Sequence, residues 1–314
     1  MVMRCDVLGA TGSRPGRGMA CSGYLVTTDA TRVLVDCGFG VATALTGRMD
    51  PADLDAIVVT HRHLDHCIDL LGVYAALRRT ASSVPVLAAP EVEETVGRII
   101  TDNRLEEWRS RLPMTLFDAG DVVTVGDLTI AAHASDHPVP TVSLRLTDAT
   151  GAVLAYSSDS GGGADLMACA AGADVLLAEA SWQVDDQDRL GDGHMTALQA
   201  AEVARDAGAA WLVLTHLRPH LDPARSAAEA ATAFGGPITV ATDGMVFTVG
   251  DDTAGGPAGT TTGATTVTTE ATAPAGGGRA AATPAGAPIG GAPARADRPV
   301  VSSTSDGPGG RSAG

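Results

Sequence analysis

Lysine is absent from the 314 residues, so all 21 basic side chains are arginine. They face 37 Asp and Glu, which leaves a formal net charge of −16. Nucleic-acid binding leans on neutralised phosphates, so a chain this acidic is a poor partner for a long polyanion. A small anionic substrate remains compatible if the charge is reversed locally. Aromatic residues make up only 3 %, and Trp182 and Trp211 read as packing residues rather than platforms for base stacking. Cysteine is scattered as Cys5, Cys21, Cys37, Cys67 and Cys169, with no C-x-x-C pair. That pattern reads as reduced, buried thiols in a cytoplasmic protein, and it excludes a cysteine-rich structural zinc site. No run approaches the ~18 apolar residues of a membrane span. The opening "MVMRCDVLGATG" has no basic segment ahead of an apolar one, so no signal peptide is expected.

The chain falls into two unlike parts. From "DDTAGGPAGTTTG" onward it is mostly Ala, Gly, Pro and Thr, with no aromatic residue and no apolar periodicity. Such a segment cannot bury enough surface to offset the entropy of ordering it. Residues 251–314 are therefore expected to be a disordered tail, and residues 1–250 a single globular domain. Five acids and four arginines lie in the tail, so a net −15 belongs to the domain.

Within that domain, short β-type runs recur, among them "RVLVDCG", "AIVVTH", "DLTIAAHA", "AVLAYSSD", "DVLLAEA" and "WLVLTH". "PEVEETVGRIITDNRLEEWRSRL" has apolar residues near helical spacing. "MTALQAAEVARDAG" places Thr196 and Gln199 at capping-box spacing and closes on Gly208, which predicts a well-bounded helix. The strand-strand-helix order up to about residue 130 returns loosely from about 140 to 250. Two such halves packed sheet on sheet, with helices outside, predict a four-layer αββα sandwich of α/β class.

Polar residues with ligand chemistry follow the β runs. His61 follows "AIVVT", Asp159 follows "AVLAYSS", His216 follows "WLVLT", and His137 comes shortly after "DLTIAAHAS". If those strands end on one edge, the four groups converge there. "THRHLDH" adds His63, Asp65 and His66. His61 and His63, two apart, share a side of an extended segment, while Asp65 and His66 belong to the turn into a helix. Four ligands so spaced crowd one ion and suit two ions side by side. Each ion then needs a third ligand and something must bridge them; His137, His216 and Asp159 can do this. Imidazole and carboxylate donors favour zinc, with manganese or iron compatible. The competing readings are solvated loop histidines or a metal-bearing binding protein that catalyses nothing.

H-x-H-x-D-H, followed by a distant His, an Asp and a His, resembles the metallo-β-lactamase superfamily. "VDCG" (35–38), "SDSG" (158–161) and "LTHLRP" (214–219) extend the resemblance in order. It implies that His61, His63 and His137 hold one zinc, Asp65, His66 and His216 the other, and Asp159 bridges them. His133 competes for the third-histidine role, but "HPVPTVSLRL" ahead of a strand is similar to the family's segment and favours His137. "GDGHMTALQAA" looks like the His-x-Thr element of the ribonuclease Z-like phosphodiesterase branch, where the histidine assists P–O cleavage. His194 and Asp65 are thus the expected catalytic residues. "LGATGSRPGRGMACSGYLV" similarly resembles the opening of bacterial cyclic-nucleotide phosphodiesterases. Relatives are often dimers, so a homodimer is expected by analogy.

The resemblance implies hydrolysis by metal-bound hydroxide. Two divalent ions, two aspartates and a hydroxide leave the site near about +1, enough to attract a singly charged diester. Relatives that process precursor tRNA carry a basic arm between the third histidine and the bridging Asp. Here that interval spans only 22 residues, occupied by two strands and a turn. The expected substrate is therefore a small phosphodiester, a 3′,5′-cyclic nucleotide first. A thioester or lactone and tRNA are the alternatives. Arg14, Arg17 and Arg218 are weaker candidates for phosphate contact.

Overall fold

The computed structural model describes residues 2–80, 82–189, 191–250 and 302–303. Strands β1 (Met3–Gly9), β2 (Gly23–Thr27), β3 (Arg32–Val35), β4 (Ala56–Val59), β5 (Val86–Ala88) and β6 (Met114–Leu116) build one sheet with the late strand β14 (Val246–Val249). Strands β7 (Val122–Val125), β8 (Leu128–Ala134), β9 (Val142–Asp148), β10 (Val153–Tyr156), β11 (Val175–Glu179), β12 (Trp211–Thr215) and β13 (Ile238–Val240) build the other, with β15 (Ser302–Ser303) on its edge. Helices α1 (Val41–Thr46), α2 (Leu64–Cys67), α3 (Leu70–Leu77), α4 (Val92–Gly97) and α5 (Asp102–Arg111) belong to the first half. Helices α6 (Ala164–Ala170), α7 (Ala197–Asp206) and α8 (Pro223–Ala230) belong to the second. This is the metallo-β-lactamase α/β sandwich expected from the sequence.

Each sheet repeats one plan. Antiparallel pairing comes first, β1 with β2 with β3 and β7 with β8 with β9 with β10. Parallel pairing follows, β3 through β6 and β10 through β13. The inner parallel strands β4, β10, β11 and β12 read as largely apolar runs because both their faces are covered, whereas the edge strand β6 is exposed at Thr115 and Leu116. Alternation assigns the faces. Leu154, Tyr156, Val175, Leu177, Trp211 and Val213 enter the large core that includes the first sheet. Their neighbours Val153, Ala155, Leu176, Ala178, Leu212 and Leu214 enter a second core with residues of α6, α7 and α8.

Three details depart from the sequence reading. The second sheet begins already at Val122, and β14 returns to pair antiparallel with β1, so the halves exchange a strand. The helical stretch 90–112 is broken in two, with Thr101 extended (φ −67°, ψ 145°) between α4 and α5. Gly97 and the β-branched run Ile99, Ile100, Thr101 lie at the break, residues that weaken a helix. Helix α7 forms as expected, with both hydrogen bonds of the capping box between Thr196 and Gln199 and with Gly208 left-handed (φ 68°).

The expected tail and the boundary at 250/251 lie outside the described residues, except that Ser302 and Ser303 pair with Thr124 and Val123 of β7. Among the described residues, no helix is long and apolar enough to cross a membrane. All five cysteines are unpaired and buried. The packing predicts that Leu176→Ala, at a fully buried position, lowers unfolding free energy by ~2–5 kcal/mol. Leu116→Ala, at a position 65 % exposed, should cost no more than about 0.5 kcal/mol. Urea unfolding of the two variants checks the contrast.

Candidate metal centre

The ligand-type residues sit where strands end. After β4 the chain passes Thr60 to His61, turns at His63, and enters α2 with Asp65 and His66 in its only turn. Asp159 follows β10 through Ser158 and His216 follows β12; Ser158 and His216 are both in left-handed backbone (φ 53° and 55°). Such conformations are costly for non-glycine residues and persist only where the surroundings enforce them. His137 lies in the turn after β8. His133 lies on β8 itself, one position from Ala132, which enters the inter-sheet core. Strand alternation therefore turns His133 the other way, where Arg145 and Asp165 bear on it. It stays outside the cluster, whereas His137 lies within it.

All seven residues converge in two groups. His61, His63, His137 and Asp159 present donor atoms within 4.8 Å of one another, and so do Asp65, His66 and His216. In the first group His61 Nε2 lies 3.1 Å from His63 Nδ1, which lies 3.1 Å from His137 Nε2. In the second, His66 Nε2 is 3.2 Å from His216 Nε2, itself 3.2 Å from Asp65 Oδ2. Donors bound at about 2.0–2.1 Å around a tetrahedral ion stand about 3.3–3.4 Å apart. These four separations lie within a few tenths of an ångström of that spacing, and His66 Nε2 to Asp65 Oδ2 is a little longer at 3.7 Å.

Asp159 joins them. Its Oδ2 faces His61 Nε2 at 3.5 Å and His137 Nε2 at 3.8 Å. Its Oδ1 faces His66 Nε2 at 3.1 Å and His216 Nε2 at 3.3 Å. Despite those distances, Oδ1 is buried and its contacts do not have hydrogen-bond geometry. A buried carboxylate oxygen left so, amid imidazole nitrogens, fits a position facing a cation.

The electrostatics agree with that fit. Burial opposes charge on Asp65, but His66 and His216 outweigh it and lower its pKa. The same contest lowers Asp159 well below the carboxylate range, through His216 and His66. His66 is pushed well above the usual histidine value despite burial, because Asp159 and Asp36 flank it. His61, buried beside His66, is lowered to about 4. The pocket thus keeps its carboxylates charged and draws positive charge between them.

An outer layer aims three of the imidazoles. His66 donates from Nδ1 to Asp36 at 2.8 Å, and His137 donates from Nδ1 to the Gly193 carbonyl at 2.9 Å. Ser181 donates to Glu179 at 2.6 Å, leaving its oxygen to accept from His216 Nδ1 at 2.9 Å. Each contact leaves Nε2 turned into the cluster. Two glycines are needed for close approach. A Cβ on Gly12 would lie 2.3 Å from the His216 carbonyl oxygen, and one on Gly193 would lie 2.4 Å from Pro138. From the loop after Gly12, the Ser13 N–H donates to Asp65 at 2.7 Å.

His194 joins the cluster from the other side. Its Nδ1 is 2.9 Å from Glu179 Oε1 and 4.0 Å from Asp159 Oδ2. Burial disfavours its imidazolium, yet the Glu179 carboxylate outweighs burial and raises its pKa to about 9. The His137 side chain is buried, whereas His63 is half-buried and the His194 side chain is 12 % exposed, so the cluster opens to solvent at His63 and His194. Of the arginines considered, Arg14 and Arg17 are exposed. Arg218 lies over the Trp182 ring, 3.5 Å from its centroid. Cys67 points into the core.

Asp36, Glu179, Ser181 and Gly193 were missed as functional residues by sequence reasoning. Asp36 and Glu179 obey the rule that polar groups stand at the ends of β runs, since they close "RVLVD" and "DVLLAE". Applied to every run, the rule would have found both.

Comparison with known proteins now has a geometry to explain. Residues 31–217 match the family described as "Beta-lactamase superfamily domain". An uncharacterised protein of Mycobacterium tuberculosis is 36 % identical, the match covering 75 % of this chain and 88 % of that one. The probable metallo-hydrolase YhfI of Bacillus subtilis is 32 % identical over 78 % of this chain and 99 % of its own length. Its crystal structure superposes with a TM-score of 0.71, covering 79 % of this chain and 99 % of that one. A ribonuclease Z of Methanopyrus kandleri is 30 % identical, covering 79 % of this chain and 98 % of that protein. A chain with this sandwich, this donor cluster and these relatives belongs to the β-lactamase superfamily and is one of its metal-dependent hydrolases.

Proposed function

We propose that the protein is a dinuclear phosphodiesterase that hydrolyses a small phosphodiester, with a 3′,5′-cyclic nucleotide as the favoured substrate. His61, His63 and His137 hold one divalent cation, Asp65, His66 and His216 the second, and Asp159 serves both. Zinc suits this nitrogen-rich donor set best, with manganese or iron compatible. When bound, the pair of cations supplies Lewis acidity toward the phosphoryl group and hydroxide at neutral pH.

The observation that carries the reading is the Glu179–His194 pair. Glu179 is fully buried and takes the Nδ1 side of His194 at 2.9 Å. The Nε2 edge is thereby left for substrate, and the imidazole is biased toward its protonated form at neutral pH. A protonated imidazole at the open side of the cluster can give its proton to a departing alkoxide. An alkoxide leaving from phosphorus needs that proton far more than a thiolate leaving from a thioester, so the pair favours a phosphodiester over a thioester. Ser13, on the glycine-rich loop after β1, fixes Asp65 through its N–H, which holds that carboxylate in place for its expected part in the reaction.

The interval between His137 and Asp159 bears on substrate size. It is filled by β9, a short turn and β10, which leaves no chain for an RNA-gripping arm. The net −15 of the domain points the same way. The Methanopyrus relative is named ribonuclease Z, so precursor tRNA is the comparison substrate.

A purified-protein screen of cyclic AMP, cyclic GMP, cyclic dinucleotides, a model thioester and precursor tRNA tests the proposal directly. Cyclic-nucleotide turnover well above that of tRNA is expected, and the reverse order would refute the substrate class. His194→Ala should lower kcat on the cyclic nucleotide by roughly 10²–10⁴-fold and thioester turnover much less. Equal losses on both substrates would remove His194 from the proton transfer. Prolonged chelation should abolish activity, and added zinc or manganese should restore it; turnover by fully stripped protein would contradict a metal-dependent mechanism.

A further inference from the structure

The second ligand group is assembled from both sheets. Asp65 and His66 follow β4 of the first sheet, and His216 follows β12 of the second. Face-to-face sheets stand about 10 Å apart, and the contact between them here is mostly aliphatic. Apolar burial is non-directional, so it favours contact without setting register. A shift of about 0.5 Å already spoils a coordination site. Something directional must hold the sheets in register beneath the ligands.

Two tyrosines cross the interface in opposite directions. Tyr24 stands on β2 of the first sheet, and its hydroxyl lies 2.7 Å from Thr215 Oγ1, in the residue before His216. Tyr156 stands on β10 of the second sheet and donates at 2.9 Å to Asp36 Oδ2. That same oxygen accepts from His66 Nδ1 at 2.8 Å. The rings pack at 5.1 Å between centroids, tilted by 59°. Both side chains are 1 % exposed, and Asp36 and Thr215 are wholly buried. These buried hydroxyls gain partners that only one sheet register provides.

The first ligand group has separate ties across the same interface. Ser158 donates to Thr60 Oγ1 at 2.7 Å, and the Val142 N–H donates to the Thr60 carbonyl at 3.1 Å. Thr60 also keeps its own bond from N–H to Asp36 Oδ1 at 2.8 Å. Thr60 Oγ1 also lies 3.0 Å from Asp36 Oδ2 and 3.2 Å from His61 Nδ1, so Tyr156 reaches the first group only through Asp36 and Thr60, whereas it shares its acceptor oxygen directly with His66 of the second.

We propose that Tyr24 and Tyr156 are positioning residues for the Asp65–His66–His216 group, a crossed pair of inter-sheet hydrogen bonds that sets His66 and His216 against each other. This rests on the reading that the group holds a divalent cation.

The test measures zinc affinity of metal-free protein by competition with a chromophoric chelator. In a His63→Ala background only the second group is complete, and in a His216→Ala background only the first. Tyr24→Phe and Tyr156→Phe, which keep the rings and remove only the hydroxyls, are introduced into each. About tenfold or greater weakening is expected in the His63→Ala background, with a clearly smaller effect in the His216→Ala background. Leu154→Val, on the same inward face of β10, controls for packing and should lower Tm without separating the two backgrounds. Equal weakening in both backgrounds, or none in either, overturns the positioning role while leaving two-ion binding intact. Unsubstituted protein that takes up fewer than two zinc equivalents overturns the two-ion reading and this one with it.

Discussion

A carboxylate buried to 2 % exposure among imidazoles is the constraint around which this molecule is arranged. Asp159 presents one oxygen to His61 and His137 and the other to His66 and His216. Burying a charge is costly unless something of opposite sign faces it. The fold meets that cost by ending four strands, from both sheets, at the same rim. The left-handed residues Ser158 and His216 belong to the same demand, since each turns its chain sharply where a strand meets the cluster.

The outer layer converts a group of polar side chains into an ordered one. Asp36, Ser181 and the Gly193 carbonyl each occupy one nitrogen of an imidazole and leave the other turned inward. Glu179 serves two histidines, holding His194 directly and His216 through Ser181. The candidate proton donor and the candidate metal ligand are therefore aimed by one buried carboxylate. Displacing Glu179 would disturb both at once, which gives the β11 terminus more influence on the site than its lack of direct ligands suggests.

The clustering of these residues was legible in the sequence because histidine is rare here and six of the eight stand at strand ends or helix starts. The sandwich was legible for a similar reason, since runs such as "AVLAY" and "WLVLT" have lengths and compositions that suit strands covered on both faces. Contacts between residues far apart in sequence were not. Tyr156 meets Asp36 across 120 positions, and β14 meets β1 across nearly the whole domain, with no local pattern to announce either. The break at Thr101 was hidden differently: the apolar spacing continues through it, and only the weak helix formers beside it hint at an interruption. Choosing between His133 and His137 required knowing which face of β8 turned inward, a matter of one residue's parity.

Two divalent ions sharing Asp159 is the claim on which the proposed chemistry stands. Anomalous diffraction at the zinc edge from zinc-loaded crystals would test it most directly. The account predicts two peaks, one among His61, His63 and His137 and one among Asp65, His66 and His216, with Asp159 between them. A single peak, or peaks that leave Asp159 without a metal neighbour, would contradict it.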